Sequence, residues 1–260
     1  LSPPNLFALR AARLEQLAEG HALAEYLRLI AGLCRVQQQV FDDPPLVAPF
    51  DQQRIEACQQ HGLPPFAADT LVREEGWQAY LEALLQRYEP DEQPAVFEAV
   101  TTLRVASPGQ LRAWAVALVS GQYSMVPAQL VPFLGAGLQT AWSHWLLSVP
   151  NLQLKPGDSL SQCPGCGSPA MAGVIRHRGK HNGLRYLVCS LCACEWHVVR
   201  VKCVYCEQSK GLQYFSLEDD RHVAGQAPLR AECCLECHSY LKLVYLESDA
   251  QSETLSADLA

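Results

Sequence analysis

Ten of the 12 cysteines lie between Cys163 and Cys237, and eight of them form four Cys-x-x-Cys pairs: Cys163/Cys166, Cys189/Cys192, Cys203/Cys206 and Cys234/Cys237. An ion held tetrahedrally by sulfur needs four thiolates. Two intervening residues let a tight turn aim both sulfurs of a pair at one centre, and a longer segment returns with the second pair. The intervals between successive pairs are 22, 10 and 27 residues, so the first pair groups with the second and the third with the fourth. Each long interval holds two strands and their turn, while Ala193 to Lys202 connects two similar modules. In Cys163-Pro164-Gly165-Cys166-Gly167 the proline sets the turn, and the glycines let backbone amides approach the sulfurs.

Disulfides are the rival chemistry for such a pattern. They are expected in small secreted domains, whereas this chain of 260 residues shows no apolar signal segment, and its start at Leu1 suggests that only initial residues are missing or trimmed. Cys194 and Cys233 are surplus to the pairing. Cys34 and Cys58 fall in helical sequence and read as small packed apolar residues. None of these four is assigned to a metal.

The elements that must position the sulfurs divide the chain in two. Up to about residue 150 it reads as helices separated by proline-rich breaks. Leu6 to Leu17 and His21 to Phe41 carry apolar residues at helical spacing, and Asp42-Asp43-Pro44-Pro45 stops the second. Further helices are expected over Asp69 to Tyr88, after the Ser107-Pro108-Gly109-Gln110 start signal to Val119, and over Leu130 to Leu147. From Asn151 the texture changes. Lys155-Pro156-Gly157-Asp158 serves as a linker, and short β-rich runs follow: Met171 to Arg178, Leu184 to Val188, Trp196 to Val201, Gln213 to Leu217 and Tyr240 to Tyr245. Moving Cys163 and Cys166 forward 40 positions lays them on Cys203 and Cys206, which suggests a duplication. The expected architecture is multi-domain α plus small β: an α-helical domain over 1–157, a first four-cysteine metal module over 158–198, a second over 199–250, and a tail over 251–260. Both modules are expected to be rubredoxin-like or zinc-ribbon-like.

Composition bounds the function. A chain with 49% hydrophobic and 18% charged residues describes a globular protein with a real core. The apolar stretch from Met125 to Leu147 is interrupted by Pro127, Pro132, Gln129, Gln139 and His144, so no membrane span is expected. The net charge is -7, with ten basic and sixteen acidic side chains before residue 161, and that balance opposes binding to nucleic-acid backbones. The helical half contains no phosphate-cradling glycine loop, zinc-protease helix or nucleophile elbow, and its aromatic residues, His144 included, read as packing. Arg176, Arg178, Lys180 and Arg185 form a basic run without an intervening acid. It reads either as a solvated sheet edge or as electrostatic support for the first site together with a partner patch.

The stretch Gly183-Leu184-Arg185-Tyr186-Leu187-Val188-Cys189-Ser190-Leu191-Cys192 continues through Glu195-Trp196-His197-Val198-Val199-Arg200-Val201-Lys202-Cys203 to Cys206. With Cys163-Pro164-x-Cys166-Gly167-Ser168-Pro169 and Cys234-x-x-Cys237-x-x-Tyr240-x-Lys242, it resembles the FdhE family of formate dehydrogenase accessory proteins. That resemblance implies a non-enzymatic maturation factor of the bacterial cytoplasm, which binds the catalytic subunit of respiratory formate dehydrogenase before export. It also implies two iron ions in rubredoxin-like tetrathiolate sites. Spacing alone accepts zinc equally well. The other readings carried forward are a rubredoxin-like electron carrier and a nucleic-acid-binding zinc ribbon; self-association is left open.

Overall fold

The structure, a computed structural model, describes residues 1–47, 50–90, 93–155, 157, 159–178, 181–216 and 225–256, without the side chains of 177, 178, 181 and 182. Eight helices occupy the first part of the described chain: α1 Leu6–Ala18, α2 Ala24–Asp42, α3 Gln52–Gln60, α4 Ala68–Leu71, α5 Gln78–Arg87, α6 Pro94–Val105, α7 Pro108–Val119 and α8 Val131–Ser148. Helix α8 is the axis of this part. It buries Phe133, Leu134, Leu138, Ala141, Trp142, Trp145 and Leu146 on several sides, as a helix surrounded by others must. Gly137 permits its closest approach, because a Cβ there would stand 2.9 Å from Leu81 Cβ on α5. Gln37 of α2 donates to the Ala136 carbonyl at 3.0 Å, and Thr140 turns its hydroxyl back to the same oxygen.

The start signal at Ser107 behaves as its chemistry demands: its hydroxyl accepts the Gln110 N–H at 3.2 Å and Pro108 opens α7. The helix expected over Asp69 to Tyr88 is instead split into α4 and α5 by a turn. The Trp77 indole donates to the Val72 carbonyl, which anchors that turn in the core. Helices α3 and α6 go beyond the sequence expectation. Only Ile55 of α3 is buried, so its apolar period is too sparse to register, whereas α6 shows Val96, Ala99, Val100 and Leu103 on one face after Pro94 at its start.

The second part is a single six-stranded sheet. Its strands are β1 Ala170–Arg178, β2 His181–Cys189, β3 Glu195–Val198, β4 Leu212–Ser216, β5 Leu229–Cys234 and β6 Tyr240–Tyr245, in the order β3-β2-β1-β6-β5-β4. Two antiparallel three-stranded halves, one per cysteine group, join through a parallel pairing of β1 and β6. Gly173 makes that seam close, since a Cβ would lie 2.6 Å from Leu243 Cδ2. Strand β5 escapes the sequence pattern because Leu229-Arg230-Ala231-Glu232-Cys233-Cys234 lacks strong β-formers. Strand β3 stops at Val198 rather than running to Val201. Leu217, Pro156 and Asp158, named in the expected strand and linker, lie outside the described residues.

The last described residues pack back on the helices. Residues 246–256 return to α1, where Arg10 meets Glu253 at 2.8 Å and Arg13 meets Asp249 at 2.7 Å. Leu255 packs against the cluster of Ala11, Leu14, Ala18, Leu27, Ala31 and Cys34. Among the described residues no helix is long and apolar enough to cross a membrane.

Candidate metal centres

The eight paired cysteines converge into two clusters, and the grouping is the one the intervals dictate. Cys163, Cys166, Cys189 and Cys192 form one, Cys203, Cys206, Cys234 and Cys237 the other, and within each the sulfurs lie within 4.8 Å of one another. None of the eight is joined to another by a disulfide. The Sγ–Sγ separations are 3.5 Å for Cys163–Cys192, 3.3 Å for Cys166–Cys189, 3.7 Å for Cys203–Cys237 and 3.6 Å for Cys206–Cys234. A tetrahedron with metal–sulfur bonds of about 2.3 Å has edges of about 3.8 Å. Both sulfur sets therefore fit a tetrahedral thiophilic ion, iron or zinc alike.

All four pairs are built by the same local device. The N–H of each leading cysteine donates to the carbonyl five residues on, at 2.9 Å: Cys163 to Ser168, Cys189 to Cys194, Cys203 to Gln208, and Cys234 to Ser239. The residue at the fourth position after it is left-handed in every case: Gly167 at φ 76°, Ala193 at 54°, Glu207 at 62° and His238 at 56°. Three of these are not glycine and carry backbone strain. A knuckle closed this way turns amides toward sulfur. Gly165 donates to Cys163 Sγ at 3.3 Å, while Leu191 and Cys192 donate to Cys189 Sγ at 3.3 and 3.4 Å.

The two centres differ in depth. All four sulfurs of the first are buried and belong to the same core cluster as α8. Phe66 and Ala68 donate backbone N–H bonds to the Gly165 and Cys166 carbonyls at 3.0 and 2.8 Å. Gln139 of α8 donates to Ser190 O at 3.1 Å. All four sulfurs are buried, so four thiolates at this depth require a cation to offset their charge. In the second centre Cys203 and Cys234 are buried, Cys206 is half-buried and Cys237 is exposed. The Ser239 hydroxyl lies 2.9 Å from Cys237 Sγ, placed to donate to a thiolate.

Three family models cover nearly the whole chain: the N-terminal domain of FdhE over residues 1–158, the central domain over 162–200 and the C-terminal domain over 201–260. The chain belongs to the FdhE family. A relative from Pseudomonas putida named Protein FdhE homolog is 64% identical over 260 residues, which is 100% of this chain and 82% of that protein. Its counterpart from Pseudomonas aeruginosa is 55% identical over 98% of this chain and 83% of its own. The fold is similar to the crystal structure of the FdhE protein from Pseudomonas aeruginosa, with a TM-score of 0.93 at 53% identity, covering 100% of this chain and 89% of that one.

The cysteines left unassigned by spacing also have places. Cys34 is buried in the apolar cluster beneath α1, and burial pushes its thiol up to about 12, while Cys58 is half-buried on α3. Cys194 is buried beside the first centre with its Sγ 3.7 Å from the Glu195 carbonyl. Cys233 is half-buried on β5, opposite Gln213 and Tyr240.

Two arginines of the basic run are engaged by carboxylates. Arg176 pairs with Glu195, and Arg185 is fully buried against Glu232 at 2.8 Å. Lys180 and the side chain of Arg178 lie outside the described residues. Sequence reasoning misses Glu232 because it misses β5; an acid two residues before a cysteine pair, matched to an arginine four residues before another, is the available signal.

Proposed function

We propose that this protein is a non-catalytic accessory factor in maturation of formate dehydrogenase, binding that enzyme's catalytic subunit in the cytoplasm before export. Membership of the FdhE family along the whole chain carries the reading. The sulfur clusters support it: a centre with four cysteine donors has no open position for substrate, as in structural and electron-carrying sites rather than hydrolytic ones. Cys163, Cys166, Cys189 and Cys192 would hold one iron ion and Cys203, Cys206, Cys234 and Cys237 the second. The test is affinity isolation of the full chain from cells making formate dehydrogenase, with elemental analysis of the same sample. Two irons per chain, ferric–thiolate absorption and co-isolation of the catalytic subunit are expected. A colourless protein with two zincs overturns iron, and a chain that captures no formate dehydrogenase subunit overturns the partner.

The exposure of Cys237 favours one competing reading, an electron carrier, because electron transfer to a partner needs a ligand near the surface. A reversible ferric/ferrous couple in a protein whose deletion leaves formate dehydrogenase activity intact would establish that reading instead.

A further inference from the structure

The buried Arg185–Glu232 pair joins the two cysteine clusters. Arg185 stands on β2 four residues before Cys189, and Glu232 on β5 two residues before Cys234, with β1 and β6 between those strands in the sheet. Arg185 Nη2 donates to Glu232 Oε1 at 2.8 Å, and its Nη1 donates to the carbonyls of Arg200 and Lys202, each at 3.2 Å. Lys202 immediately precedes Cys203. Glu232 is completed by the Tyr214 hydroxyl, which donates to Oε2 at 3.0 Å. One guanidinium anchored in the first half of the sheet thus grips the entrances to both knuckles of the second centre.

We propose that Arg185 and Glu232 are positioning residues for the second centre, through which an ion on Cys163, Cys166, Cys189 and Cys192 raises the affinity of Cys203, Cys206, Cys234 and Cys237 for theirs. This rests on the reading of both clusters as metal sites. The first ion fixes Cys189 and with it the end of β2 that carries Arg185. The arginine then holds the backbone before Cys203 and the carboxylate before Cys234. An arrangement ordered in advance binds more tightly, because the ordering cost is no longer charged to the incoming ion. The second centre depends on this support because two of its four ligands reach solvent. Fully desolvated charges are costly unless paired, so Arg185 has no comfortable alternative position.

The experiment is anaerobic titration of the metal-free full chain with cobalt(II), read by thiolate-to-cobalt charge-transfer absorption. It compares the unaltered chain with Cys206→Ser/Cys237→Ser, which leaves the first site, and Cys163→Ser/Cys166→Ser, which leaves the second. The product of the two association constants of the unaltered chain, divided by the product of the single-site constants, is the coupling factor. A factor of about ten or more is expected, within the usual range for linked sites. In the Arg185→Met/Glu232→Leu background, an apolar replacement of similar volume, the factor falls to near one while both ions still bind. Should that background fail to take up the first ion, Glu232→Gln keeps the shape and lowers the factor. A factor of one in the unaltered chain, or one unchanged by both pair variants, overturns the proposal and leaves the metal reading standing. No charge-transfer absorption from the unaltered chain overturns both.

Discussion

The unequal depth of the two centres predicts that a chelator removes their ions at very different rates. The first ion cannot leave until its knuckles separate from the helices, which breaks the bonds from Phe66 to Gly165, from Ala68 to Cys166 and from Gln139 to Ser190. At about 1 kcal/mol each, these set a floor of about 3 kcal/mol on the extra opening cost, or a factor of roughly 150 in rate. Leu146, whose Cδ1 reaches to 2.9 Å from the position a Cβ on Gly165 would take, adds apolar contact to that floor. The second ion is reached through Cys237 without any such opening. The assay mixes two-ion protein with excess chromogenic chelator under native conditions and follows release by absorbance. Two phases of one ion each are expected, at least about a hundredfold apart, and Cys206→Ser/Cys237→Ser should retain only the slow one. Release of both ions in one phase, or a fast phase surviving in that variant, would refute the reasoning.

Two glycines on α8 should respond in opposite directions to alanine. Gly135→Ala meets nothing closer than Leu118 at 4.0 Å and should gain up to about 1 kcal/mol of helix propensity. Gly137→Ala drives a methyl into Leu81 backbone and side chain at 2.9–3.0 Å and should lose about 1 to 3 kcal/mol by overpacking; urea unfolding followed by tryptophan fluorescence checks both. Cys163→Ala should remove the first ion and unfold the knuckle, since a structural site supplies on the order of 10 kcal/mol, and retention of two ions per chain would disprove the ligand assignment. Glu253→Ala leaves Arg10 buried without its partner and should cost about 2 kcal/mol, read as raised amide exchange along residues 246–256. Burial lowers the pKa of His144 from 6.5, so its neutral ring contributes stability that is fully present above pH 6.5 and lost as the pH falls below it. Its ring proton shift should accordingly titrate below 6.5, and a midpoint at or above 6.5 would contradict the packing described.

What the sequence disclosed follows from which forces act locally. A Cys-x-x-Cys pair is a complete local instruction, because the turn that aims the two sulfurs is closed by hydrogen bonds within six residues, and so the knuckles and their grouping were legible from spacing. Helix α8 was legible for a similar reason, its apolar length exceeding any strand. The merging of two modules into one sheet was not, since the β1–β6 pairing depends on Gly173 meeting Leu243 across 70 residues. The break at residues 72–77 was likewise hidden, because it depends on the burial of Trp77 in the core, where its indole bonds the Val72 carbonyl.

Arg185 illustrates the remaining gap most directly. In one dimension it sits in a run of cations that reads either as a solvated sheet edge or as electrostatic support for the first site with a partner patch. In three it is fully buried, held by one carboxylate and two carbonyls that come from two separate stretches leading into the second cluster. A buried arginine is costly unless it is paired; here both terminal nitrogens are engaged, while Nε is buried without a partner. The cysteine pairs bring those stretches close, and the arginine locks them to the first half of the sheet. The ion pair therefore spans the route from the first half of the sheet to the stretches entering the second cluster, which is why the two binding free energies are expected to be linked.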